Sequence, residues 1–204
     1  VYPRLGKGAA LPILSRLDAY LRNRATRAAL CHPTGSFTIR QVLEQRKILL
    51  VDLSGLAPET MQLIGGLFTC KLMLEILRRE TALAAESRAV RVFIDEFPAI
   101  CGLSAAAWET LLSRSRKYHA SLCIAGQFPS AVPLAIRQQL AGNVSTLLTF
   151  SLGPRDATAI RRELLVPGAD GSVKSVPAEA LVGLPVGHGY ARMGSGACAV
   201  RVHF

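Results

Sequence analysis

The chain has 204 residues, half of them hydrophobic and only 19% charged, which is enough for one α/β domain, or most of one, with a stable core and a sheet buried on both faces. The formal charge of +10, from 24 Lys and Arg against 14 Asp and Glu, gives a pI near 10.0 and favours a polyanionic partner such as nucleic acid or nucleotide. Five cysteines, an odd number with no C-x-x-C pair, exclude a paired disulfide framework and suit reduced thiols in the cytoplasm; the four histidines show no metal-binding spacing.

In chain order, Leu11 to Leu21 and Ala25 to Leu30 place apolar residues at helical spacing on either side of a polar bend at Arg22-Asn23-Arg24. Cys31-His32 beside Pro33 reads as a turn, as does Gly35-Ser36, and Thr38 can cap a short helix through Leu43. Lys47 to Leu53 is expected to be a strand. It ends near Asp52, but Leu53 stands where a second carboxylate would be needed. Pro58 suits the first turn of a long helix reaching about Arg79. Its most hydrophobic part, Met61 to Leu77, carries Gln62, Lys71 and Glu75, so it reads as a buried helix and not a membrane span. Gly65-Gly66 costs helix propensity, roughly 1 kcal/mol per Gly relative to Ala, which close packing against the sheet would offset. Thr81 to Arg88 is a connector.

Val90 to Ile94 is an apolar, β-branched run closed by Asp95-Glu96 and then Phe97-Pro98, the pattern of a buried parallel strand ending at an acidic pair. In open α/β sheets ligands sit at such strand ends. The first carboxylate can hold Mg²⁺ through water and the second can polarise an attacking water, which is the Walker B arrangement of nucleoside-triphosphate hydrolysis. Ser104 can cap a helix to about Lys117, and Ser121 to Ala125 is a short strand ending at Gly126-Gln127. Trp108, Tyr118 and His119 read as packing residues. Pro133 to Leu140 is helical, Ser145 to Phe150 a strand, and Pro154 starts a helix through Leu164, with Arg155 and Asp156 in its opening turn. Val166 to Ser175 reads as loop, with Gly168, Asp170 and Gly171 as breakers; Pro177 to Val182 is a short helix. Gly187 to Met193 and Ala197 to His203 flank a glycine turn as a hairpin. This alternation predicts an α/β fold: a mostly parallel sheet flanked by helices, with a C-terminal antiparallel hairpin at an edge.

Several of these features fall in order: Phe93 to Pro98, then Leu112 to Gln127 with Arg114, Arg116 and Lys117, then Leu140 to Asn143 and Asp156-Ala157. Together they resemble the TraG/TraD-like coupling ATPases of conjugation and type IV secretion, members of the wider FtsK/HerA group of RecA-like hexameric motors. The resemblance covers most of the chain from about Leu11 and implies a RecA-like P-loop NTPase core using ATP and Mg²⁺. It also implies site roles: Asp95 toward the metal, Glu96 activating the hydrolytic water, Gln127 sensing the γ-phosphate, and Arg116 reaching the neighbouring subunit's nucleotide as an arginine finger. An amide can donate to a phosphate oxygen and accept from water at once, and a guanidinium bridges phosphate oxygens bidentately. Arg114 competes with Arg116 for the finger, and a basic helix end favoured by the helix dipole accounts for either.

The chain departs from the pattern in one respect. No G-x-x-x-x-G-K-S/T loop occurs; Leu5-Gly6-Lys7-Gly8 is too short and has no hydroxyl after its lysine. Without that cradle for the β-phosphate the chain by itself is not expected to hydrolyse ATP well. It starts at Val1-Tyr2-Pro3, and the expectation is the C-terminal part of one motor domain, with the phosphate loop and any membrane anchor upstream. The expected layout is a helical lead-in over 1–45, an α/β core with the acidic strand over 46–165, and a loop, short helix and edge hairpin over 166–204. The resemblance implies a hexamer at the cytoplasmic face of the bacterial inner membrane, with DNA bound without sequence preference and relaxosome or secretion-channel proteins as partners. A non-catalytic docking or nucleic-acid-binding module, and a segregation or repair translocase of the FtsK/HerA group, remain as alternatives.

Overall fold

The structure is a computed structural model that describes residues 11–32, 35–79, 89–102, 105–127, 129–168, 172–194 and 199–203. The lead-in forms α1 (Leu11–Arg22) and α2 (Arg24–Leu30), with Asn23 Oδ1 accepting the Thr26 amide at 3.2 Å in the polar bend. Thr38 caps α3 (Ile39–Glu44) through a reciprocal box: its hydroxyl accepts the Gln41 N–H at 3.1 Å, and the Gln41 side-chain oxygen accepts the Thr38 N–H at 2.9 Å. Arg40 on α3 pairs with Glu75 at 3.3 Å on the long helix α4 (Pro58–Arg78).

Lys47 to Leu53 is not a strand. Its residues join no ladder, and Ile48 and Leu50 are 90% and 87% exposed. A strand is completed by a partner, and an apolar run supplies propensity without one. The helix α4 does form. Among the described helices it is the one long and apolar enough to cross a membrane by length and composition; Gly65, Gly66, Thr69 and Ile76 are buried against protein, but only 28% of its apolar window is, so it packs by one face and is not the buried helix expected. Gly65 serves a close approach, though not to the sheet as expected: a Cβ there would lie 2.7 Å from Ile100 Cγ2. Ile100 closes α5 (Phe97–Ile100), a short helix that the sequence reading did not anticipate.

Strand β1 (Val90–Ile94) pairs in parallel with β2 (Ala120–Ile124), with Val90 opposite Ala120 and Ile94 opposite Ile124. Between them α6 (Ala105–Arg114) tightens into a 3-10 turn over Ser115–Tyr118, short of the α-helix to Lys117 that was expected; its expected cap, Ser104, lies outside the described residues. Helix α7 (Leu134–Asn143) packs on α6. Ile76, Phe97, Cys101, Trp108, Leu111 and Ile136 centre the first core, where the Phe97 and Trp108 rings meet edge to face at 4.8 Å. Trp108 and Tyr118 are packed as expected. His119 is not: it is exposed and left-handed, with φ of 51°. The β1–β2 pair is also covered on one face only, since Phe93 is 75% exposed while Val92 and Ile94 face the helices half-buried. Doubly buried sheets need helices on both sides, and the described helices that pack against this pair, α4, α6 and α7, belong to a single core.

The rest builds a second core. Strand β3 (Thr146–Thr149) leads to α8 (Pro154–Ile160), β4 (Leu165–Pro167), β5 (Val173–Ser175), α9 (Ala178–Val182), β6 (His188–Met193) and β7 (Val200–His203). The segment expected to be loop from Val166 to Ser175 instead carries an antiparallel β4–β5 pair, and Gly168, one of the expected breakers, donates its N–H to Ser172 O at 2.6 Å just beyond β4; Asp170 and Gly171 lie outside the described residues. The terminal hairpin forms as expected, with Gly194 at φ of 99° entering its turn, and β6 pairs antiparallel with β3 on its other side. Ala157, Leu164, Val176 and Leu181 are fully buried beneath these strands.

Candidate functional site

The site grows from the C-terminal ends of β1 and β2. The parallel ladder continues one step past each strand, with Ala125 N–H donating to Ile94 O at 2.8 Å and Phe97 N–H to Ala125 O at 3.0 Å. Asp95 and Glu96, both exposed, sit between these bonds. Asp95 Oδ1 accepts the Glu96 N–H at 2.9 Å, which leaves its second oxygen free of that bond. Glu96 turns the chain from β1 into α5 in the left-handed conformation, φ 49° and ψ 42°. For a residue with a side chain this costs about 1–2 kcal/mol, and such strain is stored at functional sites when the surroundings enforce it. Here the enforcement is visible: β1 is paired on one side, and Phe97 is 1% exposed on the other.

Gln127 lies just beyond the end of β2, and its side-chain Nε2 donates to Glu96 Oε1 at 2.6 Å. Thus the structure brings Asp95, Glu96 and Gln127 together, across a sequence gap of 31 residues between the last two. Gly126, immediately before Gln127, has to be glycine, because a Cβ there would lie 2.6 Å from Pro98 Cδ. A short strained turn, a glycine and an amide–carboxylate bond together aim two carboxylates and an amide out of the strand ends into solvent. No group of three or more His, Cys, Asp or Glu able to hold a metal occurs among the described residues. An acidic pair of this kind suits Mg²⁺, which keeps most of its water and takes one or two carboxylates plus phosphate oxygens.

Arg116 is not part of this cluster. It lies in the 3-10 turn before β2, and Arg114 ends α6, both at the opposite end of a five-residue strand. At ~3.3 Å per residue that is ~16 Å of strand between them and Gln127. Sequence reasoning missed Gly126 as a contact residue and missed a bond from Asp156, whose Oδ1 accepts the Ser130 N–H at 2.7 Å beside the site loop. A glycine preceding the glutamine was a visible signal for the first; nothing local could reveal the second.

No family model matches the chain, and no curated protein sequence matches it either. Among solved structures it is similar to the bacterial conjugative coupling protein TrwB lacking its first 70 residues, in the unbound form, with a TM-score of 0.72 at 16% identity. It is similar too to TrwB in complex with the non-hydrolysable GTP analogue GDPNP (TM-score 0.72, 17% identity) and with ADP and Mg²⁺ (TM-score 0.67, 17% identity). Each match covers 98% of this chain and 50% of the TrwB chain, so the chain spans half the length of the structures it matches. Over that half, the chain has the RecA-type α/β fold of the TrwB-like conjugative coupling proteins, with the acidic pair at the end of its parallel strand pair.

Proposed function

We propose that the chain is the Walker B and sensor half of the ATP site in a hexameric coupling ATPase that drives DNA or protein transfer in conjugative or type IV secretion. The observation that carries this reading is the 2.6 Å bond between Gln127 and Glu96 at the ends of two parallel strands. A glutamine simply solvated in a loop has no reason to meet the second carboxylate of an acidic pair. Asp95 would face Mg²⁺ through water, and the metal when bound would neutralise phosphate charge. Glu96 is the general base: one oxygen is held by Gln127, which orients the carboxylate and leaves the other to accept a proton from the attacking water. Gln127 exchanges Glu96 for a γ-phosphate oxygen when nucleotide is present, since its amide can donate to either. Arg116, ~16 Å of strand away from Gln127, would serve a neighbouring subunit's nucleotide, and Arg114 is the alternative.

The phosphate loop that this sequence lacks would come from the other half of the motor domain, which would also cover Phe93 and pair Lys47 to Leu53. In the layout we propose, residues 1–45 lead in, 46–165 carry the site and 166–204 form the terminal unit. The +10 charge suits DNA gripped by its phosphates without base reading. Relaxosome or channel proteins would be the partners, at the cytoplasmic face of the inner membrane, with membrane contact only through segments outside this chain. The test is Mg-dependent ATP hydrolysis by the full-length protein, with and without DNA. Glu96→Gln should lower turnover by about 100-fold or more, the usual scale for a general base, while retaining ATP binding. Unchanged turnover would remove the catalytic role, and DNA binding without any hydrolysis in the wild type would favour a docking module.

A further inference from the structure

Asp156 is 6% exposed, yet the hydrolysis chemistry does not itself call on it. A carboxylate in the first turn of a helix is favoured by the free N–H groups there, and an exposed one would serve equally well. Burial costs it hydration, which has to be replaced by hydrogen bonds. The partner is the Ser130 N–H at 2.7 Å, 26 residues earlier, a charge-assisted bond by its length.

Ser130 lies in the 3-10 turn Pro129–Ala131, part of the connection from β2 to α7. That connection is tied at its start by Ala125 N–H to Ile94 O, and at its end by the buried Val132 and Ile136. Gln127 sits between these anchors, exposed, three residues before Ser130. Among the described residues, the Asp156 bond is a second tie on the middle of the segment besides the Gln127–Glu96 bond, and it joins that segment to α8, whose Ala157 is fully buried in the second core.

We propose that Asp156 is a positioning residue for Gln127: by holding the Ser130 amide it fixes the segment on which Gln127 reaches Glu96, and so joins the hydrolysis site to α8 and the C-terminal unit. This rests on the catalytic reading of Glu96 and Gln127 above. In the same way, a change sensed by Gln127 on loss of the γ-phosphate has a direct mechanical route into α8.

The test compares Asp156→Ala and Asp156→Asn with wild type in the full-length protein, measuring amide hydrogen exchange at Ser130 and at the Gln127 side-chain amide together with kcat and KM for Mg-ATP. Loss of a charged hydrogen-bond acceptor is worth roughly tenfold or more. The alanine variant should exchange both amides about tenfold faster and lose about tenfold in kcat, with KM within about twofold. Asparagine keeps an acceptor oxygen without the charge and should reduce each effect to about threefold. Faster exchange at Ser130 with Gln127 exchange and kcat unchanged would overturn the proposal, as would unchanged exchange at Ser130. If the wild type does not hydrolyse ATP, the catalytic reading falls, and the positioning role stands or falls on the two exchange rates alone. If the alanine variant does not fold, asparagine carries the test with a smaller effect, about threefold, in the same measurements; no effect there overturns the proposal.

Discussion

Substituting Gly126 by alanine probes the site through a single methyl group. Its Cβ would meet Pro98 Cδ at 2.6 Å and Cγ at 3.0 Å, where ordinary contact begins near 3.4 Å, so the two segments have to part by about 0.8 Å. Neither side yields easily. Pro98 is a rigid ring in the first turn of α5, and Phe97 beside it is both buried and bonded to Ala125 O at 3.0 Å. Overpacking of this kind costs about 1–3 kcal/mol. The same displacement, applied along the Gln127–Glu96 bond, would stretch it from 2.6 Å to ~3.4 Å, the outer limit of a hydrogen bond. Gly126→Ala is therefore expected to lower the unfolding free energy by that 1–3 kcal/mol, read as a lower denaturant midpoint with an unchanged slope. In the full-length protein, on the reading proposed above, ATP turnover should fall about tenfold, by analogy with losing one oriented hydrogen bond to a charged group. Wild-type stability together with wild-type turnover in the alanine variant would refute the close approach and the positional argument built on it.

Two further expectations concern the core beneath the site. Phe97→Ala removes a ring that is 1% exposed and meets Trp108 edge to face, and should cost about 3–5 kcal/mol in equilibrium unfolding; a loss under 1 kcal/mol would mean that the α5 turn is not anchored as described. Burial pushes the Cys101 thiol above its ordinary value, so less of it is thiolate at any given pH. At pH 8 alkylation of the folded chain should therefore label the exposed Cys31 and Cys123 well before Cys101, as mass spectrometry of the digested protein can show. Equal rates would contradict the buried position of Cys101.

Much of the fold was legible because its signals are local. The run Val90 to Ile94, the proline opening α4, the Thr38 cap and Gly194 after β6 each state a backbone preference within a few residues, and each stands at the expected element. The acidic pair was legible for the same reason: two carboxylates ending an apolar strand are a pattern in sequence as well as in space. Where the reading went astray, the deciding contact was distant or the element needed a partner. Lys47 to Leu53 has strand composition without a strand beside it, and the Val166 to Ser175 stretch read as loop when Leu165–Pro167 and Val173–Ser175 pair with each other.

By itself, then, the sequence determined that β1 ends at Asp95-Glu96 and that a glutamine follows β2, because chemistry and periodicity are written in consecutive residues. Only the tertiary structure decided that Gln127 bonds to Glu96, that Glu96 is held in a left-handed turn, that Gly126 must lack a side chain to clear Pro98, and that Asp156 reaches Ser130. Each of these depends on the parallel pairing of two strands or the docking of α8, which brings together groups 26 or more residues apart. No local preference encodes such a distance; it follows from which buried surfaces close on one another.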